Sequence, residues 1–265
     1  MNDFDDAFDL SRLERRLEGR ALGRPRYYFE AVDSTNTYLR TLPPEQLRHG
    51  AMALADHQTQ GRGRFLRLWS DRPGQSLLFS LALEAAPPPS SWPLLTLGAA
   101  VSLCRTLERQ GIAESRLRWP NDVLIGDRKV CGILTESASR PTALVLGVGL
   151  NVHQRIEDSP PELRASAGSL RSATGRSFCR EDLLAAFLAD FETVYGQWKE
   201  GQDAVILGEC RRRMSTLGRP VYLHSQGRRV EGLAMDLDRD GSLVLREPTG
   251  IVSRWHSGEV EEIQF

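Results

Sequence analysis

Apolar and polar positions alternate along this chain with two periods, and each change of period marks an element. Residues 10–22 repeat at helical spacing until Gly23-Arg24-Pro25 stops the pattern. Residues 27–32 read as a strand, and Asp33-Ser34-Thr35-Asn36 offers N-caps for a helix reaching about Leu42, ahead of Pro43-Pro44. Residues 52–55 and 76–83 read as strands, joined by a loop over 58–74. The proline-rich stretch 85–93 reads as a stiff connector. A helix follows over 94–110, with Leu97, Val101 and Cys104 on one face. Strands are expected at 117–119, 123–125, 129–136 and 143–151, with tight turns at Pro120-Asn121-Asp122 and Gly126-Asp127.

Residues 160–177 are polar and read as a surface connection. The clearest helix is 181–200, where Leu184, Phe187, Phe191, Val194 and Trp198 form an apolar stripe, and a second is expected over 203–214. The texture then changes to short strands at 221–224, 229–237, 242–246 and 251–255. Asp240-Gly241 signals a type I′ hairpin, so a small β-barrel appended to an α/β body is expected.

Composition narrows the function without naming it. The chain has 265 residues, with 34 basic against 35 acidic and a net charge of −1, so no global field draws it to nucleic acid or anionic lipid. The start is acidic and lacks a signal-peptide pattern, and no apolar run is long enough for a membrane span. Cys104, Cys131, Cys179 and Cys210 lie far apart and read as free thiols in a reducing cytoplasm, and the histidines show no metal-ligand spacing.

Local chemistry is more informative. Nearly every cation is arginine, and one of the two lysines, Lys129, sits in Gly126-Asp127-Arg128-Lys129-Val130-Cys131-Gly132. A compact ammonium there suits a point contact that a planar fork would not make, although two lysines must fall somewhere. Gln60-Gly61-Arg62-Gly63-Arg64-Phe65-Leu66-Arg67-Leu68-Trp69 combines bare backbone with arginine forks and reads as an anion-folding loop in preference to a solvated turn. Asp122 and Lys129 fall on two arms of an expected hairpin, where they form either a structural ion pair or part of a pocket. Gly132 either leaves room for a bound molecule or marks a bulge. Ser34, Thr35 and Asn36 are either helix caps or contacts for a polar ligand head. Asn151 ends a buried-strand run with an amide suited to a base edge.

In this order the segments resemble the biotin protein ligase family, in the layout of forms without a DNA-binding module. The matching pieces are DSTN at 33–36, GRGR at 61–64 with Trp69 after it, RWPND at 118–122, DRKVCGILTE at 127–136, GVGLNV at 147–152 and SGEV at 257–260. The resemblance implies an α+β fold: a mixed sheet flanked by helices, related to class II aminoacyl-tRNA synthetases, with a C-terminal SH3-like barrel. It implies a short helical extension at 1–25, a catalytic domain at 26–215 and the SH3-like domain at 216–265.

The implied activity is that of a biotin–[biotin carboxyl-carrier protein] ligase. Biotin and ATP are its substrates, Mg2+ assists, biotinyl-5′-AMP is the intermediate, and a carrier-domain lysine takes the acyl group. Carried across by motif, Ser34, Thr35, Asn36, Gln58, Arg62, Gly63 and Gly132 belong to the biotin pocket. Arg64, Arg67 and Lys129 hold carboxylate and phosphate, and Trp69, Asn121 and Asn151 serve the nucleotide. Asp122 orients or deprotonates the incoming amine. No metal ligand is assigned.

The implied partner is the carboxyl carrier of acetyl-CoA carboxylase or a related enzyme, in the cytoplasm, with no DNA or membrane contact and with room for a homodimer. Two positions depart from the family's usual GRGRRGRxW, because Phe65 and Leu66 replace an arginine and a glycine. Lipoate or octanoate ligation and non-catalytic biotin sensing are the competing readings, with an RNA-binding module third.

Overall fold

The computed structural model describes residues 8–85, 89–140 and 142–263. The acidic residues before Phe8 and the prolines at 87 and 88 of the expected connector lie outside them.

Seven strands build the main sheet: β1 Arg26–Phe29, β2 Met52–Ala55, β3 Ser76–Glu84, β4 Ser115–Arg118, β5 Asp122–Ile125, β6 Arg128–Ser137 and β7 Ala143–Asn151, in the order β1-β2-β3-β7-β6-β5-β4. Only the β1–β2 pair is parallel, so the sheet is mixed, as expected. Among the described residues six α-helices accompany it: α1 Leu10–Arg16, α2 Thr35–Thr41, α3 Trp92–Arg109, α4 Leu170–Thr174, α5 Arg180–Lys199 and α6 Asp203–Arg213. α3 and α5 pack against each other and over one face of the sheet, while α2 covers β2, β3 and β7 on the other. The predicted stripe of α5 is fully buried, from Leu184 to Trp198.

The core is therefore two-sided. A large cluster fills the α3/α5 face, and a small one of Leu39, Leu42, Leu47, Ala53, Ala82 and Val145 lies under α2. Side chains alternate across a strand. On β7 the α2-facing positions accordingly run Ala143, Val145, Gly147, Gly149, Asn151. Along one face the strand passes from core side chains to bare backbone to an amide. The space left by the two glycines is where the cavity begins.

Five further strands, β8 Pro220–Ser225, β9 Arg228–Leu237, β10 Leu243–Arg246, β11 Val252–Trp255 and β12 Glu259–Glu262, form an antiparallel sheet in the order β11-β10-β9-β8-β12. This is the strand content of an SH3-like tail. Its inner residues Val221, Leu223, Ala234, Leu237, Leu243 and Leu245 join the large core cluster of the main body. The Trp119 indole N–H, buried in the main body, donates to the Gly241 carbonyl at 3.0 Å.

Three expectations are corrected. The Asp240-Gly241 connection is not type I′, which needs positive φ at both central residues, because only Gly241 (φ 85) has it. Instead Gly241 N–H bonds to the Asp238 carbonyl, and Asp238 N–H to the Ser242 carbonyl, in a longer loop. The first helix ends at Arg16 and does not reach residue 22, because Gly19 takes a left-handed φ of 74. Residues 160–177 are more than a surface connection: α4 there has a capping box at Ser169 and Ser172, and Lys129 pairs with Ala167 as an extra β-bridge.

Candidate functional site

β5 and β6 set the charged centre. Lys129 and Gly132 are three residues apart, which on a regular strand would send them to opposite faces. A register shift between Val123 and Leu124 changes that parity: Leu124 pairs with Lys129 and Asp122 with Gly132. Lys129 and Asp122 consequently meet, Nζ to Oδ1 at 2.6 Å, and Arg118 donates to the other carboxylate oxygen at 2.8 Å. Burial opposes ionisation of Asp122, but Lys129 and Arg118 outweigh it and hold the carboxyl below the usual range.

The floor beside this centre is glycine. Gly132 and Gly149 are cross-strand partners. A Cβ on Gly132 would lie 3.0 Å from the Trp69 ring and 3.2 Å from Lys129 Nζ, and one on Gly149 would lie 2.7 Å from Trp69 Cε2. Trp69 thus lies on bare backbone, with Lys129 Nζ 5.7 Å from its ring centroid. Gly132 lies close to the register shift, and the space its missing side chain leaves is taken by Trp69 and Lys129.

Gly61 to Trp69 close over this floor as a short hairpin. Trp69 N–H donates to Gly61 O and Gly63 N–H to Arg67 O, around a turn at Arg64–Leu66. The turn holds Phe65 in the left-handed region, φ 53 and ψ 36, where a side chain is disfavoured. The three arginines are each engaged. Arg62 pairs with Glu136 at 2.6 Å, Arg64 donates to the Gly258 carbonyl at 2.8 Å, and Arg67 pairs with Glu259 at 2.6 Å. Burial lowers the Arg64 pKa, partly countered by the charges of Asp122 and Glu259.

At the α2 end the polar groups form one network. Ser34 Oγ caps α2, accepting from Thr37 N–H. Thr35 N–H and Oγ1 both donate to Gln58 Oε1, at 2.8 and 3.1 Å. Ser80 Oγ lies 2.7 Å from Thr35 Oγ1 and 2.6 Å from Asn36 Oδ1, and Asn36 Nδ2 donates to Glu136 at 2.8 Å. A Cβ on Gly147 would collide with Asn36 Oδ1.

These parts surround one cavity of about 340 Å³. Its lining includes every residue expected from the sequence: Ser34, Thr35, Asn36, Gln58, Arg62, Gly63, Arg64, Arg67, Trp69, Asn121, Asp122, Lys129, Gly132 and Asn151. Some of them spend their polar groups on the protein. Asn121 Nδ2 staples its turn to the Ile133 carbonyl at 2.8 Å, and Asn151 Nδ2 donates to Gly168 O at 2.9 Å. Several participants were not read from the sequence. Glu136 shares a strand face with Gly132 through Leu134 and was within reach of a period-of-two argument. Glu259 lies within the quoted SGEV motif with no role assigned to it, while Ser80 and the lining residues Ser159, Leu163 and Ser166 are brought in by tertiary packing alone.

Among the described residues no cluster of three or more His, Cys, Asp or Glu side chains has the grouping of a metal site, and no helix is long and apolar enough to cross a membrane.

A glycine-floored sheet thus faces a cationic loop, with a lysine–aspartate pair between them. Residues 28–152 match the biotin/lipoate A/B protein ligase family and residues 216–261 match the biotin protein ligase C-terminal domain. The bifunctional ligase/repressor BirA of Bacillus spizizenii is 30% identical over 257 residues, covering 95% of this chain and 79% of that protein. The biotin–[acetyl-CoA-carboxylase] ligase of Mycobacterium tuberculosis is 33% identical over 201 residues, 74% of this chain and 73% of that protein. The biotin protein ligase from Aquifex aeolicus, solved in complex with biotin and ATP, superposes with a TM-score of 0.80 at 28% identity, covering 91% of this chain and 100% of that one. The chain belongs to the biotin/lipoate A/B protein ligase family.

Proposed function

We propose that this protein is an ATP-dependent biotin protein ligase that joins biotin to a lysine of a carboxyl carrier domain. One observation carries the reading: polar and charged groups from seven separated sequence segments line a single cavity with a polar end, an aromatic wall and a charged middle. The polar end favours biotin over lipoate. A ureido ring offers donors and an acceptor that can exchange with the polar contacts of Thr35, Gln58 and Arg62, whereas a dithiolane offers none. The named relatives point the same way.

In the first step a biotin carboxylate oxygen bonds to the α-phosphorus of ATP, the bond to the β-phosphate breaks, and pyrophosphate leaves. Negative charge grows at the α-phosphate, where the Lys129 ammonium provides fixed positive charge and the Arg64 fork, exchanging its Gly258 carbonyl for the anion, adds a second cation. Gly132 and Gly149 allow close approach, and the loop over them excludes water. In the second step an uncharged carrier lysine amine bonds to the acyl carbon, the acyl carbon–oxygen bond to the phosphate breaks so that AMP departs, and the amine proton passes to solvent. Asp122 serves this step as a fixed anion that positions Lys129 and the arriving amine. A carboxylate held below its ordinary pKa is a weak proton acceptor at neutral pH.

The lining carboxylates, Asp122 and Glu259, are each already paired with a cation. That donor set suits Mg2+ arriving on the nucleotide phosphates, not an all-protein cage. We take residues 26–215 as the catalytic unit and 216–265 as the tail domain. The test is transfer of labelled biotin, with labelled lipoate in parallel, to a carrier domain in the presence of ATP. Biotin incorporation alone is expected, and transfer of lipoate alone would overturn the reading.

A further inference from the structure

β7 places two ends of the cavity along one strand face. Gly147 abuts Asn36 at the polar end and Gly149 abuts Trp69. Asn151 lies two residues further on, so Gly147 and Asn151 are separated by about 13 Å of strand. Beyond Asn151 the chain turns, and Gln154 comes back to line the same cavity while only 6% exposed.

Consecutive residues hold both positions from behind. The Asn151 side-chain amide is fixed by Nδ2 donating to the Gly168 carbonyl at 2.9 Å, and the backbone of Gln154 is held by Ser169 Oγ donating to its main-chain carbonyl at 2.7 Å. What remains is unusual. Asn151 Oδ1 and Gln154 Oε1 are buried and have no hydrogen-bond partner in the protein, and the nearby Trp69 indole N–H is likewise unpaired. Buried acceptors without partners are costly, and a native fold retains them where a ligand supplies the donor.

We propose that Gln154, together with Asn151, reads the exocyclic amine of the nucleotide base and sets the preference for adenine. The inference rests on the proposed function. Two carbonyl-type acceptors match an amine that carries two N–H donors, and a 6-oxo purine would bring a third acceptor against them. The adjacent Trp69 ring indicates a flat aromatic partner, which separates this end of the cavity from the ureido-binding end. The expected role for Asn151 alone would leave Gln154 Oε1 unexplained.

The test compares ATP with inosine triphosphate, which replaces the amine by a carbonyl, in biotin-dependent pyrophosphate release by the full chain. The wild-type protein should prefer ATP by about a hundredfold or more, since two buried acceptors would go unpaired with inosine. In Gln154→Leu and in the milder Gln154→Met, KM for ATP should rise roughly tenfold with KM for biotin unchanged, while use of inosine triphosphate improves, because one opposing acceptor is gone. The base preference then falls by more than that factor. An unchanged preference, equal losses with both nucleotides, or a shift in biotin KM would each overturn the assignment. A wild-type chain that uses both nucleotides equally would overturn it without any variant. Absence of biotin-dependent pyrophosphate with every nucleotide would instead bring down the functional reading beneath it.

Discussion

The sheet floor and the arginine loop bring charge to one cavity from opposite kinds of support. On the floor, Lys129 and Asp122 hang from paired strands, the carboxylate is gripped on both oxygens, and the neighbouring glycines are fixed by cross-strand partners. In the loop, Phe65 sits in a disfavoured backbone region, Phe65 and Leu68 are 54% and 78% exposed, and Arg67 reaches a carboxylate while 70% exposed itself. The floor's geometry is held by contacts within the protein itself. The loop's arginines are parked on protein acceptors that an anionic ligand can replace. Precision and exchangeability are therefore assigned to different segments, and residues with the same charge should respond differently to substitution.

The strongest test of that division is Lys129→Ala. Adenylate formation should fall by about 10²–10³, the loss seen when one fixed donor is removed from developing charge. The unfolding midpoint should move little, because Arg118 still pairs with Asp122. Normal turnover in that variant would break the comparison at its root. Next in size, Gly149→Val forces side-chain atoms into the space held by Trp69 and should cost about 1–3 kcal/mol in urea unfolding. A neutral result would mean that the floor is no more rigid than the loop.

Asp122 sharpens the comparison through pH. Its carboxyl is held low, so the stability from its pairing is complete above the ordinary carboxylate range and is lost as pH falls through the depressed value. Acid unfolding of Asp122→Asn should accordingly show a shallower loss of stability, while its rate profile keeps the wild-type shape over about pH 6 to 8. An acid limb near neutrality that disappears in this variant would contradict the assignment.

On the loop side the effects should be small. Phe65→Gly removes a left-handed cost of about 1–2 kcal/mol but adds chain entropy of similar size, leaving overall stability nearly unchanged. Its expected signature is a change of two- to threefold, at most, in KM for ATP, on the scale of a few tenths of a kcal/mol. Smallest of all, Glu259→Gln should alter stability by about 0–1 kcal/mol, and any effect on ATP affinity should shrink as salt is added.

Legibility followed the range of the interactions. α3 and α5 were readable because apolar stripes repeat locally, and the loop because glycines and arginines alternate within ten residues. The Asp122–Lys129 encounter was anticipated from a hairpin, yet the bulge that makes it possible leaves no local signature: Val130 is an ordinary strand residue. Glu136 was quoted within a motif but its grip on Arg62, Arg40 and Asn36 depends on three segments meeting. Ser80 reaches Thr35 and Asn36 only because α2 packs on the face of β3. The Asp240-Gly241 turn was misread because dipeptide preference cannot say how many residues the strands leave between them.

The Trp119 indole, anchored on the Gly241 carbonyl, bears on any effort to trim this protein into a compact labelling tool. Gly241 also packs against the backbone of Leu94 and the side chain of Leu97 at the start of α3. Cutting away residues from 216 onward would uncover that helix end and unmoor the tryptophan that precedes Asn121 and Asp122. A minimal version must keep the tail or redesign the surface it covers.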